Sequence, residues 1–201
     1  AVGVSAGACN GLSYMSGQRG RAKASNIDLM DEHHHVGLRY LLTQGCIMDF
    51  KLLFEDFPEK IIPYDYGAYF SNPDRFVMVT TNSLTGRAEY LEEKSDPGGV
   101  MDIVRASSSL PFVSRIIYRK YPQLQKALSE RNSLYDKTMD RIESLEEEGR
   151  IVVVRPQKPV EVGRMEKDTS RLSALYDEGY AVASAALPRI RMKFNDKTFL
   201  I

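Results

Sequence analysis

The chain has 201 residues, 43% hydrophobic and 27% charged, the make-up of a soluble globular protein with one domain or one domain plus a small appendage. Lysine plus arginine and aspartate plus glutamate both number 27, so there is no basic excess to drive phosphate binding and a nucleic-acid partner is not expected. No stretch reaches the length of a membrane span, and Cys9 and Cys46 fit no metal or redox spacing, so reduced thiols and a cytoplasmic location are expected.

The first residues, Ala1-Val2-Gly3-Val4-Ser5-Ala6-Gly7, contain G-x-S-x-G. This pattern suits a sharp strand-to-helix turn that holds a serine in a sparsely populated backbone region, the nucleophile elbow. Such a turn brings the residues two before and two after the serine together, where glycine has no Cβ to clash. The serine hydroxyl then stands at a helix start, where unpaired N–H groups favour a developing anion. Val2 and Val4 read as the end of a buried strand. Gly7 and Gly11, four apart, share a helix face and let the helix lie close to a sheet. Buried strands usually run about five or six residues, so the polypeptide is expected to continue upstream of Ala1. The bland alternative is a glycine-rich strand–helix turn without chemistry.

From Ala6 to Tyr14 the small residues predict a helix closing near Gly17 and Gly20. Arg19 to Asn26 reads as a polar, basic connection. Leu38, Leu41 and Leu42 have helical spacing, with Gly45 a stop. Ile47, Phe50, Leu53, Phe54 and Phe57 recur at helical intervals until Pro58 and Pro63 break the pattern. An aromatic cluster, Tyr64, Tyr66, Tyr69 and Phe70, follows. Arg75 to Thr81 is the clearest strand, Asn82 to Gly86 a turn, and Arg87 to Leu91 a second strand of a hairpin. Asp96-Pro97-Gly98-Gly99 is a loop with Asp96 as a candidate helix cap, and Val100 to Ala106 a short helix. Pro111-Phe112-Val113 approaches another strand that is cut off at Ser114-Arg115, an abrupt seam. Pro122 to Glu148 is strongly helical, ending at Gly149. Ile151 to Val154 reads as a buried parallel strand. Asp168 caps a last helix from Ser170 to Ala186, and the tail from Pro188 is basic, then apolar. Alternating helices and strands give an α/β sheet with helices on both sides.

Other candidates have plain readings. His33-His34-His35 suggests a metal site, but adjacent residues cannot all converge on one ion, and a solvated loop is expected. A triad histidine would come late in an α/β-hydrolase, and none follows His35. The stretch from Ile47 to Phe70 serves core packing first, an acyl pocket or membrane contact second. Ser107, Ser108 and Ser109 suit a helix end and turn, with substrate contact as the alternative. Arg19, Arg21 and Lys23 form an ordinary basic loop or a head-group contact.

Together, the G-V-S-A-G elbow, the segment RFVMVTTNSLTGRAEYL and the segment RASSSLP resemble, in order and spacing, the patatin-like phospholipases. RIIYRKYPQL, EEEGRIVVVRP and SRLSALYDEGY resemble the helical C-terminal piece of the bacterial cytoplasmic branch of that family. The resemblance implies a three-layer α/β/α sandwich with a mostly parallel sheet, occupying residues 1–114, and a C-terminal extension of helices and a strand, packed on that core, over residues 115–201. It implies an acyl hydrolase with a serine–aspartate dyad, Ser5 as nucleophile and Gly3 and Gly7 as the elbow glycines. Its substrates would be acyl esters of phospholipids or related lipids, met in part at a membrane surface, with no cofactor and no metal. The family's oxyanion loop, G-G-G-x-R/K-G, is expected upstream of Ala1. Its aspartate, in a D-G-G or D-G-A motif, is expected near Ser114-Arg115, where a stretch of chain is expected to be missing. Asp96 has a proline inserted after it and precedes RASSSLP, so the role is not carried to it. The alternatives are a lipid- or partner-binding scaffold without turnover, and a generic α/β-hydrolase esterase or acyltransferase.

Overall fold

A computed structural model describes residues 1–30, 32, 33, 37, 40, 48–109, 120–163 and 166–195. Its contacts divide the chain into two units, Ala1–Ser129 and Glu130–Ile201. In the first unit a strand β1 (Val2–Val4) leads into helix α1 (Ala6–Met15). Short helical segments α2 (Arg21–Lys23) and α3 (Ala24–Asp28) follow where the sequence suggested only a connection. Next come α4 (Leu52–Ile61), α5 (Tyr66–Ser71), the hairpin strands β2 (Val77–Thr81) and β3 (Ala88–Leu91), and α6 (Pro97–Ser108).

The three-stranded sheet has the order β1-β2-β3. β1 runs parallel to β2, with Gly3 opposite Met78 and Val4 opposite Val79, and β3 pairs antiparallel with β2, with Tyr90 opposite Val79. The sheet is therefore small and mixed among the described residues, rather than mostly parallel. Side chains alternate across it. Gly3 and Met78 are buried on the face covered by α1 and α6, whereas Val2, Val4 and Tyr90 are 70%, 59% and 70% exposed on the other. The expected burial of Val2 and Val4 is thus not met: β1 is an edge strand here, and no second layer of described residues covers that face. Ala8, Leu12 and Met15 lie at i, i+4 and i+7 on α1 and pack with Phe76, Met78, Val100 and Val104 into one core. Burying an aromatic or aliphatic side chain of this size contributes about 1.5–3 kcal/mol, so this cluster fixes α1 against the sheet.

Polar side chains complete the helix ends. The carboxylate of Asp96 accepts from Gly98 N at 3.0 Å and Gly99 N at 2.9 Å, and Pro97 occupies the first turn. Asp96-Pro97-Gly98-Gly99 is therefore the start of α6 rather than a loop, because a proline at the first position loses no helix bond. Asp65 caps α5 through Ala68 N at 2.8 Å. The last carbonyls of α1 are taken by the buried Tyr64 hydroxyl on Leu12 O and the Asn72 amide on Met15 O, both at 2.9 Å. Pro58 does not break its helix. The segment winds with i→i+5 bonds, Ile62 N to Phe57 O at 2.9 Å among them, and this wider turn takes in a residue that has no N–H to give. In the hairpin turn, Asn82 Oδ1 accepts from Leu84 N and Thr85 N, and Gly86 has φ 69°. A Cβ there would lie 2.5 Å from Gln123 O, in the first turn of the helix Pro122–Glu147, so Gly86 permits both the turn and the close approach.

Helix α7 (Pro122–Glu147) carries the chain out of the first unit, and the second unit is completed by α8 (Thr169–Asn195). Gly149 at φ 67° ends the first of these as expected, with Arg150 N on Leu145 O at 2.9 Å. Asp168 caps α8 through Ser170 N at 2.9 Å. The helix runs past Pro188 instead of stopping at Ala186. Ile151 to Val154 forms no strand, and Val154 is 45% exposed: an apolar run is a strand only when another strand takes up its backbone groups. The Pro111-Phe112-Val113 approach, the Ser114-Arg115 seam and the apolar tail from Phe199 lie outside the described residues.

Candidate active site

Ser5 is the one non-glycine residue with positive φ among the described residues, at φ 53° and ψ −122°. An L-residue in such a region costs about 1–3 kcal/mol and persists only where its surroundings over-determine it. Three features do so. First, the strand ends at Val4 and the helix starts at Ala6, and the Ser5 carbonyl accepts from Ala8 N at 2.9 Å and Cys9 N at 3.1 Å. Second, a Cβ on Gly3 would lie 2.5 Å from Gly7 O, 2.7 Å from Gly7 C and 2.8 Å from Ala8 N, all backbone atoms. Third, Ser5 N donates to Ser107 Oγ at 2.9 Å, and Ser107 Oγ donates to Val79 O at 2.6 Å.

The two elbow glycines are not equivalent. Gly3 is required because its own Cβ would strike the helix backbone. A Cβ on Gly7 meets nothing within 4 Å; what Gly7 contributes to the close approach is its carbonyl. On the helix, the near contact falls instead at Gly11, whose Cβ would sit 2.4 Å from Phe76 Cζ. The small-residue face thus lies at Gly11, not at Gly7.

Ser5 is half-buried, and Ala6 and Gly7 are exposed. The first N–H groups of a helix have no partner within it. Those of Ala6 and Gly7 therefore stand beside Ser5 with the positive end of the helix dipole behind them. Next to this turn, Cys9 Sγ and Ser108 Oγ are 3.6 Å apart, and burial pushes the Cys9 thiol upward in pKa. A thiol so placed stays protonated and packs as a small apolar group.

The remaining candidates fall elsewhere. Asp96 spends both carboxylate oxygens on the cap of α6. His33 packs edge-on against Phe57 with ring centroids 5.6 Å apart, while His34 and His35 lie outside the described residues. No group of three or more histidine, cysteine, aspartate or glutamate residues could hold a metal ion among the described residues. Phe50, Phe54, Phe57, Tyr64 and Tyr69 are core residues; Ile47 and Cys46 are outside the described residues. Arg21 donates to Pro63 O at 3.1 Å and to Ile62 O, with its guanidinium 5.2 Å from the centre of the Tyr64 ring. Lys23 pairs with Asp28. Neither Arg21 nor Lys23 is part of an open basic loop. Among the described residues no helix is long and apolar enough to cross a membrane.

Ser107 lies at a helix end as the sequence indicated, but its contact with the Ser5 amide was not foreseen. The serine triplet was visible, but nothing in one dimension marks which of the three faces the elbow.

A family model described as patatin-like phospholipase matches residues 1–136. The chain belongs to this family. Its α/β character accords with the family, whose name describes phospholipid hydrolysis. A second family model, described as a domain of unknown function (DUF6363), matches residues 121–195, from the start of α7 to the end of α8. No curated protein and no solved structure matches the chain.

Proposed function

We propose that this patatin-like phospholipase is a serine acyl hydrolase that cleaves fatty acyl esters of phospholipids or related lipids, with Ser5 as nucleophile. The observation that carries this reading is the backbone of Ser5: the one positive φ, 53°, of a non-glycine residue among the described residues, at a strand–helix turn closed by Gly3. In the proposed reaction Ser5 Oγ bonds to the ester carbonyl carbon and gives its proton to an aspartate. The carbonyl oxygen becomes an anion beside the N–H groups of Ala6 and Gly7. The C–O bond to the alcohol then breaks, the alcohol leaves with the proton, and water releases the fatty acid from the acyl-enzyme.

The sequence contains neither the family's D-G-G or D-G-A motif nor its glycine-rich oxyanion loop. On this reading the aspartate belongs to chain omitted beside Ser114-Arg115, outside the described residues. The intact protein should then weigh more than 22.7 kDa, and a mass at that value sinks the assignment. Residues 1–114 are taken as the catalytic core, a three-layer sandwich with a further helical layer over the exposed face of the sheet, and 115–201 as the helical extension. The protein would act in the cytoplasm with transient contact at a lipid surface, and without a cofactor. The missing motif also favours a second reading, a patatin-like scaffold that binds lipid without turnover. Hydrolysis of a short-chain ester by the wild type and Ser5→Ala separates the two. Loss of activity in the variant supports hydrolysis through Ser5, and equal rates remove Ser5 as nucleophile.

A further inference from the structure

We propose that Ser107, near the end of α6, is a positioning residue that holds the Ser5 elbow in its strained form. The proposal rests on Ser5 being the nucleophile and adds what keeps it aimed. Ser107 stands in the last turn of α6. Its Oγ donates to the carbonyl of Val79, the residue paired with Val4, at 2.6 Å and accepts from Ser5 N at 2.9 Å. A carbonyl only accepts and an amide N–H only donates, so the single hydroxyl proton has one place to go. The Val79 carbonyl fixes the rotor, and the rotor turns a lone pair to Ser5. One side chain thereby ties the elbow amide to the neighbouring strand.

The next residue reinforces this. Ser108 Oγ lies 3.6 Å from Cys9 Sγ on α1, so consecutive serines of α6 touch the elbow and the helix that follows it. The core contact between α6 and α1, through Val100 and Val104, seats this turn of α6 against the elbow. Since φ near 53° is unfavourable for serine, removing the tie lets Ser5 relax toward an ordinary conformation and carries its hydroxyl away from the Ala6 and Gly7 N–H groups. A displacement of about 1 Å at a reacting group costs about 100-fold in rate.

The test uses the full chain as wild type, Ser107→Ala and Ser107→Thr. Two quantities are read: labelling of Ser5 by a fluorophosphonate, and hydrogen exchange of the Ser5 amide. The alanine variant should label about 10- to 100-fold more slowly and lose protection at the Ser5 amide. Threonine, which keeps the hydroxyl, should restore both. On an ester substrate the alanine variant should lower kcat with KM nearly unchanged. Wild-type labelling rate and Ser5 protection in Ser107→Ala would overturn the proposal. If Ser107→Ala fails to fold, the wild type still decides: rapid exchange of the Ser5 amide in the native protein overturns it. If the wild type takes no label at Ser5, the nucleophile reading fails by itself. The tie is then judged by amide exchange alone, where unchanged protection in the alanine variant rejects it.

Discussion

Gly3→Ala should be the most damaging single-methyl change in the elbow. The new Cβ would lie 2.5, 2.7 and 2.8 Å from three backbone atoms of Gly7 and Ala8. Ordinary carbon contacts begin near 3.5 Å, so β1 and α1 must part by about 1 Å, and no side-chain rotation can absorb it. The strand is held by its pairing to β2 and by Val77 N on Ala1 O at 2.9 Å, the helix by the burial of Ala8, Leu12 and Met15. Overpacking against such neighbours costs about 1–3 kcal/mol, and a backbone clash belongs at the upper end. A loss of about 3 kcal/mol lowers Tm by about 10 °C for a unit of this size. The same shift should slow acylation of Ser5 about 100-fold. Gly7→Ala is the control: its Cβ meets nothing within 4 Å, and glycine to alanine within a helix stabilises by about 0.5–1 kcal/mol. Thermal melts of the two variants and the wild type, followed by circular dichroism, make the comparison. Equal melting of Gly3→Ala and wild type, or equal damage from Gly3→Ala and Gly7→Ala, would refute the reasoning.

Asp96→Ala removes the cap that serves two N–H groups of α6. It should lower stability by about 1–2 kcal/mol in urea unfolding while leaving the labelling rate of Ser5 within about twofold, since Asp96 is not assigned to the chemistry; a large loss of labelling in a folded variant would reopen that assignment. Gly11→Ala should destabilise through the buried ring of Phe76, which a Cβ would meet at 2.4 Å, by about 1–3 kcal/mol; a melt at the wild-type temperature would mean that the ring has room to move. Burial pushes the Tyr69 phenol up to about 12, with the carboxylates of Glu93 and Glu92 adding to it, and burial also pushes Tyr64 upward. Both folded values lie above the unfolded value of about 10, so their contribution is whole below about pH 10 and is lost as pH rises through the folded values. Urea midpoints should fall between about pH 10 and 12, less steeply in Tyr69→Phe, and an identical slope in that variant would contradict the assignment.

The parts of this fold that sequence carried well are those set by local chemistry. The elbow, the β2–β3 hairpin with its Asn82 turn, the Asp96 and Asp168 caps and the Gly149 stop each depend on a residue and its neighbours within a turn or two. What misled was set by distant partners. Ile151 to Val154 has strand composition, but among the described residues no strand pairs with it. Pro58 looked like a break and the last helix was expected to end at Ala186, yet Pro58 and Pro188 each lie within a helix. At the site, the motif marked Ser5 and its glycines but treated them symmetrically, whereas the clash belongs to Gly3 and the close helix contact to Gly11. Ser107 is separated from Ser5 by 102 positions, and only the packing of α6 against the sheet brings it there.

The central claim is that Ser5 is an activated nucleophile. Treatment of the full-length protein with a fluorophosphonate, followed by mass spectrometry of its peptides, addresses that atom directly. A single adduct on the peptide holding Ser5, absent from Ser5→Ala, is the predicted result. An adduct on another residue, or none on native protein that still hydrolyses an ester, would contradict it.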